Sequence, residues 1–230
     1  MRIGMRSVLP AALLLVALHQ ATAQEYAGND LRDLKIGGKV ADLPAAGYVD
    51  FSCAADANAK DVNTKDANAK DTNAKPAGWS AWRDCPAGAD GLHALHFGFD
   101  PATSKDGTIV AGHPVVLTAL IDKDGIVTGL EIDTDPKTRL YLRKKAFLFG
   151  PQVKARYGSD GWACTQADLA ADEEPVGGVH VKEKCTKTTE GRAITVQRSL
   201  YRKAGQDEKN FVDETKVTIL RASATTTGSN

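Results

Sequence analysis

Two aspartates are the candidates for a metal site in this sequence. Asp133 and Asp135 directly follow the alternating stretch 126–132, and carboxylate oxygens are the ligands that Ca²⁺ and other hard cations prefer. Asp122 and Asp124 precede that stretch, but an extended chain of this length would separate Asp122 from Asp133 by about 20 Å or more. We therefore expect at most a small metal site at Asp133 and Asp135. Capping of turns and helices is the more common role of such carboxylates.

A run of basic residues suggests a second kind of site. Residues 136–159 contain seven Lys and Arg side chains and no acidic residue. The candidates for binding an anion or an acidic partner through salt-sensitive attraction are Arg139, Arg143, Lys144 and Lys145. The solvated outer face of a helix explains the same pattern without any binding.

The sequence lacks the common catalytic motifs. It contains no H-E-x-x-H, no G-x-S-x-G and no glycine-rich phosphate loop that opens a helix. No histidine has a sequence-local pattern of serine, cysteine or carboxylate that indicates a triad. A hydrolase whose site is assembled in space is the remaining enzymatic alternative, with His93, His113 or His180 touching a carboxylate and a hydroxyl. We predict no catalytic residue and no cofactor.

Four cysteines predict two disulfides. An even number of cysteines in an exported chain is typical of a disulfide framework. Sequence alone allows three pairings, and we favour Cys53–Cys85 and Cys164–Cys185 because each pair lies within one local segment. Each bridge would contribute on the order of 3 kcal/mol by restricting the unfolded chain. The cysteines show no C-x-x-C or close Cys/His spacing that would favour a metal or redox site.

The N-terminus has the pattern of an export signal. Arg2 and Arg6 precede the apolar run 8–18, and 21–23 is a small-x-small cleavage sequence. We expect residues 1–23 to be removed and the protein to be periplasmic or secreted, with no transmembrane segment. The 29 basic and 29 acidic residues balance, which gives no reason to expect nucleic-acid binding.

A tandem repeat interrupts the predicted domain. Residues 56–75 are four copies of a five-residue unit, DANAK, DVNTK, DANAK and DTNAK. The unit is polar and its charges cancel, so we predict a disordered surface loop between an N-terminal part, 24–55, and a main part, 76–222. A recognition or metal-binding role for the repeat is the alternative, which the lysine in each unit disfavours. The tail 223–230 is also predicted to be disordered.

The predicted fold is α+β. Stretches 115–121 and 126–132 are expected to pair as an antiparallel hairpin around the turn 122–125. Residues 135–158 are expected to form a helix, with Asp135 as the N-cap, Pro136 in the first turn and a kink at 150–151. Its apolar stripe consists of Leu142, Ala146, Phe149, Val153 and Tyr157. We therefore expect two layers, an antiparallel sheet packed by one kinked amphipathic helix.

These features favour an exported, non-enzymatic binding or interaction protein. Its partner is expected to be an unknown protein or small ligand. The alternatives are a metal-binding protein that uses surface carboxylates, and the hydrolase with a spatially assembled site.

Overall fold

The structure, a computed structural model, describes residues 30–54, 78–143 and 145–222. The predicted signal 1–23, the repeat 56–75 and the tail 223–230 lie outside the described residues. None of the helices in the described ranges is long and apolar enough to cross a membrane.

One antiparallel sheet dominates the structure. Eight strands follow the order β1-β2-β4-β5-β10-β9-β8-β6, while β3 pairs with β4 and β7 pairs with β9. The strands are β1 (Tyr48–Cys53), β2 (His93–Phe99), β3 (Ile109–Val110), β4 (His113–Ile121), β5 (Val127–Thr134), β6 (Ala163–Gln166), β7 (Glu173–Glu174), β8 (Val181–Thr189), β9 (Arg192–Lys203) and β10 (Val212–Arg221).

The predicted hairpin is confirmed as β4 and β5, which pair antiparallel at the centre of the sheet. Oδ1 of Asp122 accepts hydrogen bonds from the backbone N–H groups of Asp124 and Ile126, both at 2.9 Å, and thereby closes the turn. Gly125 has φ 78°, and a Cβ there would lie 3.2 Å from Trp82. Glycine is therefore needed both for the backbone and for the close approach of the indole.

The predicted two-layer α+β fold is wrong. The ten-stranded sheet is the main body, and in the described residues α-helix is limited to α1 (Leu140–Arg143) and α2 (Phe149–Arg156), which flank the 3-10 turn Ala146–Leu148. These short segments cannot cover a sheet of this width. Much of the covering layer is instead an irregular N-terminal segment and the 3-10 helix Trp79–Asp84.

The predicted start of the helix is also wrong. The carboxylate of Asp135 accepts hydrogen bonds from the backbone N–H of Lys137 at 2.9 Å and from the hydroxyl of Thr138 at 3.3 Å. This makes an Asx turn, which competes with helix capping, so helical geometry begins only at Leu140. Pro151 lies in the first turn of α2, where its missing N–H costs no hydrogen bond.

The core lies on one face of the sheet. The register places Leu117 opposite Ile132, Ile132 opposite Val217, and Val217 opposite Val196. These four side chains are at most 4% exposed, so the row is continuous across four strands. Phe149 and Val153 of the predicted apolar stripe pack on this face.

Both predicted disulfides are confirmed. Cys53 at the end of β1 bonds Cys85 after the 3-10 helix, and Cys164 of β6 bonds Cys185 opposite it on β8. The first links edge strand β1 to the 3-10 helix that covers the core, and the second links edge strand β6 to its neighbour.

Candidate functional site

A cavity of about 340 Å³ lies over the apolar face of the sheet, between α2 and the N-terminal segment. We call it the helix cavity. Ile132, Val217 and Ile219 of the sheet line it, and Phe149 and Val153 line it from α2. These five side chains are at most 7% exposed, so the interior of the cavity is part of the hydrophobic core.

The N-terminal wall of the helix cavity is held by a buried ion pair. The carboxylate of Asp30 accepts hydrogen bonds from Nε of Arg192 and, at 3.3 Å, from its Nη2. It also accepts the backbone N–H of Ile36 at 2.8 Å. The side chains are 2% exposed for Asp30 and 12% for Arg192, so a residue of β9 fixes this segment against the sheet.

Arg32 lies on that wall, in a tight turn between Leu31 and Leu34. The two leucines exchange backbone hydrogen bonds, and Arg32 has φ 49°. Its guanidinium carbon lies 3.3 Å from the ring centre of Phe99, which is a cation–π contact. Among the residues that the structure describes, no carboxylate forms an ion pair with Arg32.

The opposite wall, α2, is fixed to the sheet by a charged cluster. Oε2 of Glu183 lies 3.2 Å from Nζ of Lys154 and 3.3 Å from Nη1 of Arg198. Gly150 sits directly on Arg198, because a Cβ at Gly150 would lie 2.6 Å from the Cδ of that arginine. Lys154, which belongs to the basic run, therefore serves to attach the helix.

Polar groups of α2 lie at the edge of the helix cavity. Oε1 of Gln152 and Nε2 of His113 are 3.0 Å apart, and burial lowers the pKa of His113. Burial raises the pKa of the Tyr157 phenol, and the nearby Asp30 carboxylate raises it further, so the phenol is neutral at neutral pH. Arg156 is exposed and forms a hydrogen bond with Tyr157.

The helix cavity suits binding better than covalent chemistry. Its described lining contains no serine, threonine, cysteine or histidine. Nucleophilic catalysis by one of these groups also needs a base in hydrogen-bond reach. An apolar interior with a few polar groups at one end is instead the usual composition of a small-molecule site.

A second cavity, of about 630 Å³, lies at the other end of α2 and is larger. Phe147 and the loop 175–178 form part of its wall, together with Leu200 and Arg202. Phe147 is 40% exposed, and Nη2 of Arg202 is bonded to Glu174 at 2.5 Å. We prefer the smaller cavity because its apolar walls belong to the core and are held in place on both sides.

The predicted anion-binding residues do not line the helix cavity. Arg139 and Lys145 are exposed, and Nζ of Lys145 lies 4.5 Å from the ring centre of Tyr141. Arg143 ends α1, and Lys144 lies outside the described residues. Arg156, from the same basic run, does line the cavity. Their role in binding an anion or acidic partner stays a prediction.

The predicted metal ligands Asp133 and Asp135 each have a different partner in the structure. Asp133 lies 3.8 Å from Nζ of Lys216 on the polar face of the sheet, and Asp135 closes its Asx turn. Among the described residues, three potential donors come within 4.8 Å of one another only at Cys164, Glu183 and Cys185. Both of these cysteines are in a disulfide. The metal site at Asp133 and Asp135 therefore gains no support and stays a prediction.

The histidines do not form the arrangement expected of a hydrolase. Nδ1 of His93 lies 2.7 Å from the carbonyl oxygen of Cys85, and His113 contacts Gln152. In the described ranges, none of the three candidates His93, His113 and His180 contacts both a carboxylate and a hydroxyl. His96 does contact the hydroxyl of Thr118 at 2.8 Å, but Thr118 is only 2% exposed.

Sequence reasoning missed Arg32 and the whole helix cavity. The pieces come from residues near 30, 110, 132, 150 and 218, which the fold brings together. The one available signal was the apolar stripe that placed Phe149 and Val153 on the sheet.

No known protein family matches this chain, and no curated protein or solved structure does either. No role can be transferred to these residues from a relative, so their function is inferred from their own geometry.

Proposed function

We propose that the protein is an exported binding protein that holds a small apolar ligand in the helix cavity. The observation that carries the proposal is a cavity of about 340 Å³ whose interior is made of core side chains. Small-molecule sites are concave, mostly apolar and usually preformed, with volumes of about 300–1,000 Å³.

Two fixed walls support a preformed site. The Asp30–Arg192 pair holds the N-terminal segment, and the Glu183 cluster holds α2. Preformed walls reduce the ordering entropy that a ligand must offset on binding. Export is supported by the N-terminal signal pattern and by the two disulfides, which form and persist in oxidising compartments.

The test is binding of Nile red, a neutral dye that fluoresces in apolar surroundings, to the purified protein and two variants. Val153→Phe places a ring in the cavity, since Val153 lines it and is 7% exposed. Ala155→Phe is the matched control because Ala155 is on the same helix and exposed. We expect saturable one-to-one binding that Val153→Phe weakens by about tenfold or more and Ala155→Phe leaves unchanged.

Val110→Phe provides a second obstruction, from the other side of the cavity. It keeps the test usable if Val153→Phe does not fold, which circular dichroism reports. No saturable dye binding by the parent protein, or equal binding by the parent and the folded obstructing variant, would overturn the proposal.

A further inference from the structure

We infer that the ligand of the helix cavity is an amphiphile with a carboxylate head group, which Arg32 binds at the cavity edge. This inference rests on the proposed function and specifies the ligand class. It begins from the way polarity is distributed along the cavity. Val217 and Phe149 are fully buried, whereas Arg32 and Arg156 are exposed. A ligand aligned with this gradient has an apolar body and a polar end.

The charges around the cavity favour an anion at that end. The ionised groups of the lining are Arg32, Arg156 and Asp30, and the negative charge of Asp30 is balanced by Arg192. The carboxylate of Asp30 is occupied by Arg192 and by the N–H of Ile36. The lining arginines therefore favour an anionic head group, and we choose a carboxylate because its two oxygens match the single guanidinium of Arg32.

Arg32 is prepared to bind a carboxylate. Its guanidinium lies over the ring of Phe99, and this cation–π contact restricts the motion of the side chain. The planar fork of a guanidinium matches the two oxygens of a carboxylate. No carboxylate of the described residues takes that position, so a ligand head group has no competitor among them.

The first experiment compares three ligands with the same ten-carbon chain by isothermal titration calorimetry. Decanoate is anionic, decanol is neutral and decylamine is cationic at neutral pH. We expect decanoate to bind about tenfold or more tightly than decanol, because hydrogen bonds between ionised groups are stronger than those of a neutral head. Decylamine should bind most weakly.

The second experiment identifies the residue. Arg32→Gln should weaken the binding of decanoate about tenfold and leave the affinity for decanol unchanged. Arg83→Gln is the matched control, because Arg83 is also exposed and also lies over an aromatic ring, 4.2 Å from the ring centre of Trp82, but does not line the helix cavity. It should change neither affinity. Unchanged decanol binding also shows that Arg32→Gln is folded with its cavity intact.

The outcomes separate this inference from the proposed function. Equal binding of decanoate and decanol, tighter binding of decylamine, or an unaffected Arg32→Gln would overturn the head-group inference while Nile red binding still supports the cavity. Failure of all three ligands and of Nile red would overturn the proposed function as well.

Discussion

Replacing Asp30 by asparagine should destabilise the protein strongly, because it removes the carboxylate from a mostly buried guanidinium. Asp30 and Arg192 are 162 residues apart in the chain and join the N-terminal segment to β9. Asparagine has nearly the same shape, so the packing of Leu31 and Leu34 around it is preserved. The change therefore tests the charge of the pair rather than the volume of the side chain.

The expected loss follows from burial. Removing one partner of a buried ion pair typically costs about 3–5 kcal/mol, since the other charge stays in a poorly solvated site. Arg192 keeps 12% of its side chain exposed, which allows some hydration. We therefore expect the lower end, about 3 kcal/mol, in the free energy of global unfolding.

Urea denaturation followed by tryptophan fluorescence measures this loss, because Trp79 and Trp82 are in the core. The midpoint should fall while the slope stays constant. The matched control is Asp124→Asn, which breaks the exposed Lys123–Asp124 pair (82% and 66% exposed) and should change nothing measurable. A double variant, Asp30→Asn with Arg192→Met, should lose less than the sum of its parts, because the unmatched charge is gone. The reasoning fails if Asp30→Asn is as stable as the Asp124→Asn control.

Two other perturbations test the polar face and the repeat. Burial raises the pKa of Asp133 from 3.8 to about 6; Lys216 partly opposes this shift, and Glu131 and Glu214 add to it. The folded protein therefore holds this proton more tightly than the unfolded chain does, so the free energy of unfolding falls as the pH rises from about 4 to 6. Because the side chain is 35% exposed, we expect a loss of only about 1 kcal/mol. Asp133→Asn should abolish it in urea titrations at about pH 4 and pH 7, whereas an unchanged pH difference would rule out this origin. Deleting the 20 residues 56–75 shortens the sequence separation of Cys53 and Cys85 from 32 to 12. The deletion should not change the stability of the oxidised protein, because the disulfide closes the loop in the folded and the unfolded state alike. It should stabilise the double variant Cys53→Ser, Cys85→Ser by about 0.9 kcal/mol, because a shorter open loop loses less entropy on folding. A large loss in the oxidised protein would mean that the repeat packs on the domain.

The parts of the fold that sequence predicted depend on neighbours in the chain. The β4–β5 hairpin is encoded by two apolar stretches around a turn that Asp122 and Gly125 specify. The disulfide pairs are likewise local, with separations of 32 and 21 residues. The stripe residues Phe149 and Val153 were placed correctly because helical spacing alone shows which of them share a face.

The parts that sequence missed depend on distant pairing or on competition between local motifs. Asp135 fits both an N-cap and an Asx turn, and only the structure shows that the turn forms. The central position of β10 between β5 and β9 joins segments about 80 residues apart, for which no local pattern exists. Leu31, Leu34 and Ile36 lie three and then two positions apart, a mixed spacing that does not predict which of them share a buried face.

The same features that overturn the two-layer prediction also create the site. A helix that covered the sheet from residue 135 onward would have filled the space that the helix cavity occupies over Ile132 and Ile219. Because α2 is short, the irregular N-terminal segment completes the covering layer, and two surfaces of different origin do not close over the core. The Asp30–Arg192 pair then holds the N-terminal wall of the helix cavity against β9. Asp30→Asn should therefore weaken decanoate binding more than Asp124→Asn does, even at temperatures where both variants are fully folded.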